Sequence, residues 1–144
     1  MGIVNHVGLC VTDIARSRAF YEGVFGFVHV RDLEVPDGPT SKLLQVPEPC
    51  GLHASYLELD GWILELILFD REGNDPRRDR SFTEPGLTHL SIAVGELEPA
   101  CAKVRELGGE VLDDTDVWGM AILVRDPDGQ LLELLPGRGP GQLT

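Results

Sequence analysis

Apolar residues recur at every second position in six short segments and at helical spacing in two others. The first alternating segment, NHVGLCV (5–11), sets Val7, Leu9 and Val11 against His6, Gly8 and Cys10; the fourth, THLSIAV (88–94), sets Leu90, Ile92 and Val94 against His89, Ser91 and Ala93. Each predicts a strand with one apolar face and one face of small residues plus a histidine. After the first, ARSRAFYEGVF (15–25) places Ala15, Ala19, Phe20 and Val24 on a helical stripe, and LEPACAKVREL (97–107) does the same with Leu97, Ala100, Val104 and Leu107. Gly26 and Gly108-Gly109 end the two helices. HASYLEL (53–59) and WILELIL (62–68), joined by Asp60-Gly61, predict a tight hairpin. GMAILVRD (119–126) and QLLELLP (130–136), joined by Asp126-Pro-Asp-Gly129, predict a second.

The chain therefore repeats itself. Aligning His6 with His89 pairs Val7 with Leu90, Leu9 with Ile92 and Val11 with Val94. Each half predicts the order β-α-β-β-β, with module one at 3–69, a polar connector at 70–86, module two at 87–136 and a glycine-rich tail at 137–144, all within a single domain, 1–144. In the proline-studded stretch 35–51 a short strand is expected near Lys42–Val46. Such repeats usually exist for packing, because half a core cannot cover its own sheet.

Four residues break the apolar pattern. Glu65 stands between Leu64 and Leu66, and Glu133 between Leu132 and Leu134. A carboxylate in such a run is costly to desolvate unless it is paired, hydrogen-bonded or bound to a cation. Singly, a histidine near a strand end is more often structural than a ligand. Here the same two residue types occupy the same two places twice over. His6, Glu65, His89 and Glu133 thus form a candidate set for one divalent first-row metal, with positions left for water or substrate.

Composition excludes several partners. Twelve Lys plus Arg against twenty-four Asp plus Glu give a net charge of −12, which repels nucleic acid and anionic lipid. The three cysteines lack C-x-x-C spacing and fit a reducing cytoplasm. No signal sequence or transmembrane run is expected.

These features resemble the vicinal oxygen chelate superfamily, which includes glyoxalase I, methylmalonyl-CoA epimerase, extradiol dioxygenases and the bleomycin- and fosfomycin-resistance proteins. The resemblance spans residues 3–136 and is carried by His6 in NHVGLCVTDIARSRAFYEGVFGF, Glu65 in WILELIL, His89 in GLTHLSIAV and Glu133 in DPDGQLLEL. It implies an α+β fold of two tandem βαβββ modules whose mixed sheets curve around a metal-binding cleft. It also implies a homodimer acting on a small molecule, with one ion of Ni, Co, Zn, Mn or Fe per site, held within one chain or shared between two.

Glutamate at both strand positions resembles the glyoxalase I branch. The activity this implies is a lyase or isomerase reaction, in which a proton moves next to a carbonyl through a metal-stabilised enediolate, with Glu133 as first choice of base and Glu65 as second. The alternatives are an Fe(II) ring-cleaving dioxygenase, an epimerase, and a non-catalytic drug-binding protein of the bleomycin-resistance type. Bacterial glyoxalase I enzymes typically have arginine and asparagine where Cys10 and Phe69 stand, so a standard glutathione adduct is not the expected substrate. Cys10, His53, Trp62, Phe69 and Trp118 are candidate cleft residues. Arg77, Arg78 and Arg80 are candidates to grip an anion, weighed against an ordinary solvated connector.

Overall fold

The computed structural model describes residues 1–75 and 78–137. Two compact units divide the chain: Met1–Arg18 with Gly26–Pro76, and Ala19–Phe25 with Arg77–Thr144. The first contains β1 (Val7–Cys10), β2 (Val28–Glu34), α2 (Asp37–Leu44), β3 (Leu52–Leu59) and β4 (Trp62–Phe69). The second contains β5 (Leu90–Val94), α3 (Leu97–Glu106), β6 (Glu110–Val111), a 3-10 turn at Asp113–Thr115, β7 (Ile122–Arg125) and β8 (Leu131–Pro136). Helix α1 (Ile14–Phe25) contributes its first part to one unit and Ala19–Phe25 to the other.

Both sheets have four strands in equivalent order, β1-β4-β3-β2 and β5-β8-β7-β6. In each the first strand pairs in parallel with the last, and the other pairings are antiparallel. This is the mixed, repeated α+β architecture that the alternation and the resemblance imply. Leucines on one face form the cores. Leu57 and Leu66 are fully buried in the first unit and Leu132 and Leu134 in the second, each stabilising by about 1.5–3 kcal/mol through removal from water. Asp60 and Gly61, at φ 50° and 80°, make the two-residue turn between β3 and β4. That turn sets the register, pairing Leu59 with Trp62 and Tyr56 with Glu65.

Two expectations are corrected. No strand forms near Lys42–Val46: Asp37–Leu44 is helical, ending at Gln45 with φ 56°. Pro39 misleads there, because proline in a first turn has no helical hydrogen bond to lose. Thr40 instead ties the turn, its amide and its hydroxyl both donating to the Pro36 carbonyl. The strand that does precede β3 is β2, whose residues are largely exposed and so carry no clean hydrophobic alternation. Helix α1, finally, buries Ser17, Phe20 and Tyr21, while Ala15 and Ala19 face outward. The aromatic rings decide this face, Phe20 meeting Tyr21 and Phe25 edge-on at 5.3 and 5.9 Å.

Candidate metal centre

In the first sheet one row of side chains crosses all four strands. Gly8 of β1 is in register with Glu65 of β4, Glu65 with Tyr56 of β3, and Tyr56 with Arg31 of β2. Residues in register share a face, so the carboxylate lies between a strand position with no side chain and a phenol. A β-carbon at Gly8 would sit 3.6 Å from Glu65 Oε2; glycine keeps that flank of the carboxylate open. His6 lies just ahead of β1, its Nε2 3.1 Å from Glu65 Oε2. The Tyr56 hydroxyl donates to the other oxygen, Oε1, at 2.5 Å. Burial, followed by the hydrogen bond to Glu65 and its charge, pushes the Tyr56 phenol above its ordinary pKa. It remains a donor at neutral pH.

The second sheet repeats the pair with different support. His89 Nε2 stands 3.7 Å from Glu133 Oε2, and Ser91 on β5, in register with Glu133 of β8, donates its hydroxyl to that same oxygen at 2.6 Å. Where Tyr56 faces Glu65, the residue facing Glu133 is Leu123 of β7. Phe82 packs against the His89 ring at 5.4 Å.

Each imidazole also has a partner at its other nitrogen. His6 Nδ1 lies 2.7 Å from the Asn5 side-chain oxygen, and His89 Nδ1 2.8 Å from the Thr88 hydroxyl. An amide oxygen only accepts, so His6 Nδ1 carries the proton in that bond. When neutral, the ring then turns the Nε2 lone pair toward Glu65. Two electron-rich atoms 3.1 Å apart are stable only with a cation at hand, either a proton on Nε2 or a metal ion. A nitrogen and a carboxylate oxygen, with the imidazole oriented from behind, is a donor set suited to a first-row divalent ion. The donor chemistry of each pair therefore fits such an ion. Among the described residues, no three His, Cys, Asp or Glu side chains gather into one group that could hold it.

The other candidates separate by face. Cys10 and Phe69 share the Glu65 face, as strand alternation and the registers Cys10 with Ile67 and Leu52 with Phe69 require. His53 and Trp62 fall on the opposite face; His53 lies 3.6 Å from Glu34, and Trp62 is largely exposed at the start of β4. Trp118 sits in the loop before β7, 88% exposed. Arg80 donates to the carbonyls of Glu84, Pro85 and Leu87 and lies 3.7 Å from the Glu84 carboxylate, so its guanidinium staples its own loop. Arg77 lies outside the described residues. The sequence reading overlooked Tyr56, Arg31 and Ser91.

Residues 3–134 match the Glyoxalase/Bleomycin resistance protein/Dioxygenase superfamily. The chain belongs to that superfamily. It is 25% identical over 140 residues to the metallothiol transferase FosB of Shouchella clausii, covering 93% of this chain and 80% of that protein. A glyoxalase family protein from Bacillus cereus shares the fold with a TM-score of 0.79, at 13% identity and 94% coverage of both chains. The fosfomycin-resistance protein FosX of Listeria monocytogenes, solved with manganese(II) and sulfate, aligns with a TM-score of 0.64 at 16% identity, covering 96% of this chain and 94% of that one.

Proposed function

We propose that this protein is a divalent-metal-dependent enzyme of small-molecule metabolism, active as a cytoplasmic homodimer, that moves a proton at a carbon next to a carbonyl group. The observation that carries the reading is the repeated pair: both modules aim a histidine Nε2 at a carboxylate oxygen from the same two strand positions, at 3.1 and 3.7 Å. His6, Glu65, His89 and Glu133 would hold the ion. When bound, the metal acts as a Lewis acid toward substrate oxygen and makes the neighbouring C–H bond more acidic.

The chain's own residues supply the remaining chemistry. Glu133 takes the proton and returns it one atom away, acting as general base and then general acid. Its support is looser than that of Glu65: it stands farther from its histidine, and its side chain is 31% exposed against 14%. Cys10 and Phe69 border the same face as Glu65 without offering charge, which favours a substrate other than a standard glutathione adduct. A second reading, addition of a thiol to an electrophile, draws on the likeness to the metallothiol transferase FosB.

The test begins with the metal content of untagged protein, compared with a variant lacking both His6 and His89. Near-stoichiometric divalent metal, lost in the folded variant, supports the reading; manganese(II), seen in FosX, is a natural first addition. Proton exchange into deuterated solvent from 2-hydroxy and 2-oxo compounds then separates proton transfer from thiol addition, which consumes thiol instead. A protein that takes up no divalent ion overturns the proposal.

A further inference from the structure

Resting on the reading of His6 and Glu65 as ligands, we propose that Tyr56 is a positioning residue, which dictates the oxygen Glu65 presents to the metal, and that Arg31 holds the Tyr56 ring in place for it. The two carboxylate oxygens have separate tasks. Oε1 accepts from the Tyr56 hydroxyl at 2.5 Å while Oε2 faces His6 Nε2 at 3.1 Å. A carboxylate tethered at one oxygen cannot rotate without breaking that bond.

The ring that donates is itself held. Arg31 places its guanidinium carbon 4.9 Å from the Tyr56 centroid, and the His6 ring meets Tyr56 edge-on at 6.1 Å and 87°. Arg31 reaches this place through a β-bulge. The register of β2 against β3 runs from His29 opposite Leu57 directly to Arg31 opposite Tyr56, passing over Val30. Without the extra residue Val30 would oppose Tyr56, and Arg31 would point to the other face; re-aiming a side chain is a characteristic effect of a bulge.

The second module serves as an internal comparison. Opposite Glu133 stands Leu123, which has nothing to donate, and the Ser91 hydroxyl goes to Oε2, the oxygen already facing His89. Among the described residues, Glu133 Oε1 accepts no hydrogen bond. Glu65 is thus tethered at the oxygen away from its histidine and Glu133 at the oxygen beside its own, which divides the labour between two sequence-equivalent residues: Glu65 presents Oε2 and stays as a ligand, and Glu133 is left to move with the proton.

The experiment is calorimetric titration of metal-stripped protein with manganese(II), together with visible absorption of the cobalt(II) form. The variants are Tyr56→Phe, Tyr56→Leu, Arg31→Ala and Glu65→Gln, with Tyr21→Phe as a buried tyrosine control in the second unit. Tyr56→Phe keeps the ring and is expected to weaken manganese binding by about tenfold or more, in the range for lost partners of metal ligands, and to shift the cobalt spectrum. Arg31→Ala should fall between it and the unmodified protein, and Tyr21→Phe should lose stability without losing affinity. Tyr56→Phe with unchanged affinity and spectrum, alongside a weakened Glu65→Gln, would overturn the positioning role while leaving the ligand assignment intact. Unmodified protein that binds neither ion would overturn both.

Discussion

The Tyr21 hydroxyl donates a 2.8 Å hydrogen bond to Asp126 Oδ2 across 105 residues of sequence, joining α1 to the turn between β7 and β8. Asp126 Oδ1 accepts the backbone N–H groups of Asp128 and Gln130, so the carboxylate organises the hairpin turn while only 3% exposed. Burial raises the Asp126 pKa above the ordinary carboxylate value, with Asp128 adding to the rise and the three hydrogen bonds opposing it. Between the ordinary value and the raised one, the folded protein holds a proton that the unfolded chain has released. Stability from this residue is therefore full below the ordinary carboxylate range and declines as pH rises through the raised value. Asp126→Asn can accept from both amides and donate to Tyr21. Urea melts of this variant from acid to neutral pH should lack the declining limb and match the unmodified protein only at the acid end.

Tyr21→Phe leaves the buried Asp126 carboxylate short of a donor. The expected cost is about 1–3 kcal/mol at neutral pH, read as a lower urea midpoint at constant slope. The cost should shrink in acid, where the protonated carboxyl needs that donor less.

Gly109, just past α3, has no room for a methyl group. A β-carbon there would meet the Arg125 carbonyl oxygen at 2.6 Å, Phe20 Cε2 at 2.7 Å and Val104 Cγ1 at 2.8 Å. Gly109→Ala should destabilise by about 1–3 kcal/mol or more, because a backbone oxygen has to move. Gly95, with nothing within 4 Å of its β-carbon position, provides the contrast; a Gly95→Ala melting curve should lie close to that of the unmodified protein.

Mixing variants tests whether one metal site draws on two chains. If the protein is a dimer whose metal site is shared, a chain carrying His6→Ala and Glu65→Gln, refolded with a partner carrying His89→Ala and Glu133→Gln, should regain metal in one of the two sites of each mixed dimer, about a quarter of all sites. Neither variant alone should bind. Absence of recovery in demonstrated mixed dimers would place all four ligands within one chain.

Glu133→Gln should reduce solvent proton exchange of a turned-over substrate by about 10²–10⁴-fold. It should retain metal better than Glu65→Gln does, as measured by metal analysis of both purified variants. The reverse ranking would make Glu65 the base.

Local pattern was sufficient for much of this molecule. Alternation, two helical stripes and two turn motifs specify a repeated βαβββ module, because strand and helix periods are written into neighbouring residues. The four metal-ligand candidates were visible because each breaks an apolar run or stands on a small-residue face. Even Tyr56 was within reach: a two-residue turn at Asp60-Gly61, counted outward, leads from Leu59 and Trp62 to Tyr56 and Glu65. Other features had no local signature. The helix at Asp37–Leu44 hid behind Pro39, and the exposed strand β2 offered no clean alternation. The bulge at Val30 is a property of two strands together, and only it turns Arg31 toward Tyr56. Phe20 and Tyr21 displace Ala15 and Ala19 from the buried face of α1 because aromatic rings bury more surface than methyl groups. Tyr21 and Asp126 meet only after folding has brought residues 105 apart within hydrogen-bond reach, and no periodicity along the chain encodes a contact of that range.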